Sequence, residues 1–339
     1  MIRKKPVLLL FLFGILLFHQ LILSDYAGAR PQYLIKFATV APEGSTWIKQ
    51  LRKLDKEVRA KSDGKLGFLI YAGGIAGDEL DVLRKIRIGQ IHCAAFTGVG
   101  FGQILPMVRV LDLPFLFHNN DEIDLVHREL TPFFSKEFQK RGFELLAWAE
   151  IGNVYLFSKK PIKKVEDLRG LKVWAWSGDP IVKETFAAMG VNPILLAITD
   201  VTTALNTGMI NTVYAPPLGA MALQWYTSVS YMMSLSLAHS TGAILISSKY
   251  YNKLPQKLAK ILTSSFDKGM KELTSILREQ NKEAFQLIRD SGLTIGALPS
   301  GSNLDEFYNV HEQVARKLTD KVYPKEILEK VYNALKRPH

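Results

Sequence analysis

The stretch YLIKFATVAPEGSTWIKQLRKLDKEVRAKSDGKLGFLIY, residues 33–71, sets the fold class. Tyr33 to Val40 alternates apolar with polar or small residues, the period of two that gives a strand one buried face. Ala41-Pro42-Glu43-Gly44 turns the chain, and Ser45 or Thr46 supplies an N-cap oxygen for a helix from Trp47 to about Lys61. Asp63-Gly64 stops that helix, and Leu66 to Tyr71 forms a second strand. Gly73-Gly74 then leads into a helix from about Asp78 to Ile88, stopped at Gly89, and His92 to Phe96 is a third strand. Strands alternating with helices build a parallel sheet, and such sheets bind ligands at the carboxyl ends of their strands.

The same alternation continues along the chain. Leu113-Pro114-Phe115-Leu116-Phe117 reads as a buried apolar turn, followed by a helix carrying Ile123, Val126 and Leu130 on one face and another from about Phe133 to Lys140. Phe143 to Glu150 and Val154 to Ser158 are strands meeting near Gly152, the expected crossing into a second lobe. There Val165 to Leu168 is a helical turn, Gly170 to Trp174 a strand and Pro180 to Met189 a helix. Val191 to Leu196, Thr212 to Tyr214 and Ala243 to Ser247 follow as strands, with a helix from Val201 to Thr207 capped by Asp200. After Pro255 an apolar stripe runs from Leu258 through Phe266, Leu277 and Ile288 to Asp290, about 50 Å of helix at 1.5 Å per residue. That is long enough to span two lobes, with Gly269 a point where it could bend; the stripe also permits a dimerising coiled coil. Helices around Asn303 to Thr319 and Pro324 to Lys336 close the chain.

The chain has 339 residues, a formal charge of +11, 22% charged and 47% hydrophobic residues, and one cysteine, which excludes a disordered chain, a disulfide framework and a multi-cysteine metal site. Arg3, Lys4 and Lys5 precede an apolar run from Val7 to Phe18, and Ala27-Gly28-Ala29 follows as a small-x-small site. Residues 1–29 are therefore expected to be a cleaved signal peptide, with an uncleaved anchor as the other reading. Without them the charge falls to about +9, and its Lys and Arg are interspersed with Asp and Glu as on a solvated surface. No basic stripe with interleaved aromatics points to nucleic acid.

Catalytic and metal motifs are missing too. The seven histidines lack ligand spacing, and adjacent His92 and Cys93 on a strand face opposite ways, so Cys93 reads as a buried thiol. Gly98-Val99-Gly100-Phe101-Gly102 has the wrong spacing for a dinucleotide loop and reads as a tight loop at a pocket mouth. Ser265-Phe266-Asp267-Lys268 lies mid-helix without partner motifs. The expectation is a non-enzymatic, exported solute-binding protein with neither cofactor nor metal.

Several segments carry a resemblance. Phe37-Ala38-Thr39-Val40-Ala41-Pro42, Ile88-Gly89-Gln90, Leu113-Pro114-Phe115-Leu116-Phe117, Glu166-Asp167-Leu168-Arg169-Gly170-Leu171-Lys172-Val173, Ala187-Ala188-Met189-Gly190-Val191-Asn192-Pro193 and Ala204-Leu205-Asn206-Thr207-Gly208 resemble, in order, the solute receptors of tripartite ATP-independent periplasmic (TRAP) transporters, dicarboxylate-receptor type. The resemblance implies an α/β, two-lobed periplasmic binding protein of type II-like architecture, with hinge strands and a long helix spanning both lobes. Residues 30–153 plus about 242–290 would form lobe I, and 154–241 plus about 291–339 lobe II. It also implies capture of a small organic molecule between the lobes, delivery to integral membrane permease subunits, a periplasmic location and, in the simplest case, a monomer. A carrier of lipid-like molecules on the same fold is the other reading.

Two positions depart from the family pattern. Trp174 stands where the family usually keeps an arginine that clamps a substrate carboxylate, and Ala215 where it tends to keep an asparagine. A guanidinium makes a bidentate pair with carboxylate, whereas an indole offers one donor and a π face. The expected ligand is therefore apolar, aromatic or cationic. Trp174 and Trp176, on one strand face, would join Tyr214, Ala215 and Trp225 in contacting it, with Trp47 and Thr97 closing from lobe I and Glu150 available to pair with a cation.

Overall fold

A computed structural model describes residues 30–337; the expected signal peptide lies outside them. The first half contains β1 (Tyr33–Ala38), α1 (Thr46–Lys61), β2 (Leu66–Tyr71), α2 (Glu79–Arg87), β3 (Cys93–Thr97), α3 (Gly98–Ile104), a 3-10 turn (Pro106–Asp112) and α4 (Asn120–Lys140). β4 (Phe143–Ser158) leads to β5 (Trp174–Trp176), α5 (Pro180–Ala188), β6 (Ile194–Leu196), α6 (Val201–Asn206), β7 (Thr212–Ala215), α7 (Pro217–Ala222), a 3-10 turn (Trp225–Ser228) and β8 (Tyr231–Met232). The chain returns through β9 (Ala238–Ser247) and ends with α8 (Ser248–Tyr251), α9 (Gln256–Asp290), β10 (Thr294–Ile295), α10 (Ser302–Leu318) and α11 (Lys325–Leu335).

The main sheet runs β10-β8-β4-β9-β3-β1-β2, with β7 also on β4. β1 pairs parallel with β2 and β3, as the strand–helix alternation requires, while β9 returns antiparallel between β3 and β4. β4 was expected as two strands and is one, bulged between Leu145 and Ala147 and between Glu150 and Gly152. The second bulge lets one strand serve both halves: its first part pairs β9 and its last residues pair β7 and β8. Helix α4 likewise passes through Pro132, where two shorter helices were expected.

Helix α9 has the expected 35 residues and connects both halves. Leu258, Leu262, Phe266, Met270 and Leu273 pack with Ile35, Phe37, Leu51 and Leu54 of the first half, and Phe266 stacks on Phe37 at 6.1 Å. Near the other end of the helix, Ile288 joins Phe157, Trp174 and Met232 in the second half. Gly269 is a crossing point and not a break: a Cβ there would land on Leu54 of α1, and its carbonyl accepts from Gln50 Nε2 at 3.0 Å. Helix α10 packs on α5, whereas α11 packs on α4 and the Pro106–Asp112 turn, so the C-terminal segment touches both halves. Among the described residues no helix is long and apolar enough to cross a membrane. Cys93 is buried and free.

Candidate functional site

A cavity of about 360 Å³ opens between the halves, at the carboxyl ends of β1 and β3 and beside β5 and β7. Its wall includes Trp47, Thr97, Trp174, Trp176, Tyr214, Ala215 and Trp225, seven of the eight residues singled out from the sequence. The eighth, Glu150, lies elsewhere. β4 turns Ile151 and Val154 toward this cavity but Glu150, Gly152, Asn153 and Tyr155 toward a second cleft of about 270 Å³. There Glu150 accepts from Arg278 Nε at 2.8 Å, and Arg278 also holds Asp124. Burial raises the Glu150 pKa against the lowering effect of that guanidinium.

The aromatic wall is a stacked cluster. Trp174 lies 4.7 Å from Tyr214 at 15° to parallel, meets Trp225 edge-on at 5.3 Å and lies 6.0 Å from Trp176. Offset stacked and edge-to-face pairs are the favourable geometries for rings with negative faces and positive edges. Each indole N–H of this cluster already has a protein acceptor. Trp174 Nε1 donates to the Leu196 carbonyl at 3.1 Å, Trp176 Nε1 to Asp78 Oδ2 at 3.0 Å and Trp225 Nε1 to Thr202 Oγ1 at 3.0 Å. The Tyr214 hydroxyl accepts from Trp176 N at 3.2 Å, and burial raises its pKa. These side chains therefore offer a ligand ring faces; the single donor expected from Trp174 is engaged.

Three carboxylates and one guanidinium of this wall escaped the sequence reading as a site. Arg109 is 3% exposed; its Nη2 donates to Asp179 Oδ1 and Oδ2 at 2.8 and 3.0 Å, and its Nε lies 2.9 Å from Asp112 Oδ2. Asp179 also caps α5, accepting from Ile181 N at 2.9 Å, so this ion pair ties the Pro106–Asp112 turn to the second half. Burial opposes the Arg109 charge, but Asp179 and Asp112 outweigh it and raise its pKa. Burial pushes Asp112 up to about 7, against the pull of Arg109. Glu79 accepts from Thr97 N at 2.8 Å, Thr97 Oγ1 at 3.0 Å and Gly100 N at 2.7 Å, yet its complete burial raises it to about 8. The visible signal for Arg109 was a lone charge between Val108 and Val110 in an apolar run.

Gly98-Val99-Gly100-Phe101-Gly102 is helix α3, where a loop was expected, with Thr97 at its N-cap. Its glycines make room for that charged wall. A Cβ at Gly98 would land on Asp112 and Arg109, at Gly100 on Phe96 and Glu79, and at Gly102 on Arg109. The close approach is to protein side chains, not to a phosphate.

Residues 37–321 match the family model for bacterial extracellular solute-binding protein, family 7 (DctP). The C4-dicarboxylate-binding periplasmic protein DctP of Rhodobacter capsulatus is 23% identical over 277 residues, covering 81% of this chain and 82% of its own. Among solved structures, the sugar acid binding protein of Advenella mimigardefordensis in complex with galactonate superposes with a TM-score of 0.85 at 21% identity, covering 91% of this chain and 98% of its own. A TRAP periplasmic solute-binding protein of Shewanella oneidensis with bound succinate gives a TM-score of 0.84 at 21% identity, over 90% and 99%. With the family model spanning both halves and the cavity between them, the chain belongs to the bacterial extracellular solute-binding proteins of family 7, the DctP type.

Proposed function

We propose that this TRAP-type receptor captures an aromatic small molecule that lacks the usual carboxylate anchor, closes its two lobes over it and presents it to the membrane permease subunits. The observation that carries the reading is the cavity wall: ring faces at Trp174, Trp176, Tyr214 and Trp225, and a single guanidinium, Arg109, already held by two carboxylates. The relatives of known ligand bind acids, succinate and galactonate among them. In this chain the position expected to hold their clamp carries an indole whose N–H is engaged by Leu196. A cavity of about 360 Å³ sits at the small end of ligand pockets and suits a compact ring better than a lipid chain.

Closure would hinge at β4 and β9 near Gly152, with the lobe boundaries expected from the sequence except that α11 packs on the first half, and with the signal peptide removed on export. Thermal-shift screening of the mature chain against carboxylates, amines and neutral aromatics tests the reading. Stabilisation by aromatic amines or neutral aromatics is expected; stabilisation confined to carboxylates contradicts it.

A further inference from the structure

Given that the aromatic cavity is the ligand site, its ionisable groups determine which charge it accepts. Glu79, Asp112 and Asp179 line it against one cation, Arg109. Asp179 and Asp112 hold that guanidinium on Nη2 and Nε, so its charge is neutralised within the wall. Glu79 receives its hydrogen bonds from neutral donors, two backbone N–H groups and the Thr97 hydroxyl, and has no counter-charge. With its carboxylates ionised the wall is net negative; burial makes that excess costly and holds protons on Glu79 and Asp112 while the cavity is empty, protons that a bound cation would displace.

An unmade hydrogen bond points the same way. His239 lines the cavity, 3% exposed, with Nδ1 3.1 Å from Asn153 Oδ1 and Nε2 buried without a partner. An Nδ1 that donates to an amide oxygen leaves Nε2 as a bare acceptor. That unpartnered atom is an acceptor, which calls for a donor. The ring faces of Trp174, Trp176 and Tyr214 attract cations through their quadrupoles.

We infer that the ligand is an organic cation with N–H donors, an aromatic ammonium compound, and not an anion. The glycines at 98, 100 and 102 belong to this arrangement, because side chains there would displace Asp112, Glu79 and Arg109 from the wall. A metal cation fits less well, since no three His, Cys, Asp or Glu side chains among the described residues are grouped to hold one.

Two sets of probes that share a ring and differ in charge test the inference on the mature full chain: tryptamine, indole-3-ethanol and indole-3-acetate, and benzylamine, benzyl alcohol and benzoate. Calorimetry is expected to show the amine of at least one set binding about tenfold or more tighter than its alcohol, with no binding of the acid. Glu79→Gln, which removes a carboxylate of the wall, should lower the amine-to-alcohol ratio several-fold. An alcohol as tight as its amine overturns the charge assignment and leaves the aromatic receptor standing. An acid that binds tightest overturns both, and failure of both amines to bind at millimolar concentration overturns the charge assignment.

Discussion

Trp174 stacks on Tyr214 at 4.7 Å, 15° from parallel, and with Trp225 against its edge it is only 1% exposed. The ring is both a structural member of the second-half core and part of the cavity wall. Trp174→Ala should therefore cost about 3–5 kcal/mol of stability as well as binding, whereas Trp174→Phe keeps a ring and should cost less. Urea unfolding of the two variants checks this; equal, negligible losses would show that the stack contributes nothing to the core.

The pair Arg109–Asp179 joins the two halves in a buried setting. Arg109→Leu leaves Asp112 and Asp179 without a cation and should destabilise by about 3–5 kcal/mol. Asp179→Asn keeps an oxygen to cap α5 and leaves Arg109 with Asp112, so its cost should be clearly smaller. Denaturant midpoints measured on both variants give the order; a milder loss for Arg109→Leu would refute it.

Gly100 lies where a methyl would collide with Phe96 and Glu79. Gly100→Ala should cost about 1–3 kcal/mol by overpacking, although alanine is the better helix former. A thermal melt of the variant at or above wild type would show that the helix start has room to spare.

Burial raises Glu79 to about 8 and Asp112 to about 7, so the folded protein keeps protons that the unfolded chain releases near the ordinary carboxylate range. Stability from these groups is fully present below about pH 4 and is lost progressively as pH rises, until the folded protein also deprotonates at about 7 to 8. Glu79 is faced by Asp78, Thr97 and Gly100, and Asp112 by Arg109, Asp179 and Thr241. The buried histidines act oppositely: His127, lowered by burial to about 4, and His239, lowered well below the ordinary value, resist charging and cost stability as pH falls below about 6.5. Between about pH 4.5 and 6.5 the two effects oppose each other, so the melting temperature of the ligand-free protein should change little there and decline from about pH 6.5 toward pH 8. A melting temperature still rising between pH 7 and 8 is the outcome this assignment forbids.

Local patterns made most of the fold legible in the sequence. The strand Leu66–Tyr71 and the helix ending at Asp290 follow from alternation, an apolar stripe and Gly stops, all short-range signals. The single strand Phe143–Ser158 was not legible as one element, because Gly152 at a bulge looks like a chain break until the partner strand is known. At the site, Trp174 stood out through its position in a family motif, Trp176, Tyr214 and Trp225 as its neighbours, and Trp47 through its loop position. Arg109, Asp112, Asp179 and Glu79 did not, because their pairing joins residues as far apart as 109 and 179 and depends on burial. Glu150 shows the converse: loop position placed it near the crossing, but the strand face it occupies directs it to Arg278.

On the proposed reading, an aromatic wall around Trp174 stands where an acid clamp is expected, and the protein should have no affinity for the acids bound by its relatives. Isothermal titration of succinate and galactonate into the wild-type mature chain and into Trp174→Arg puts that reading to the test. No binding heat is expected for the wild type, and measurable carboxylate binding is expected in the variant. Stoichiometric, micromolar binding of either acid by the wild type would contradict it.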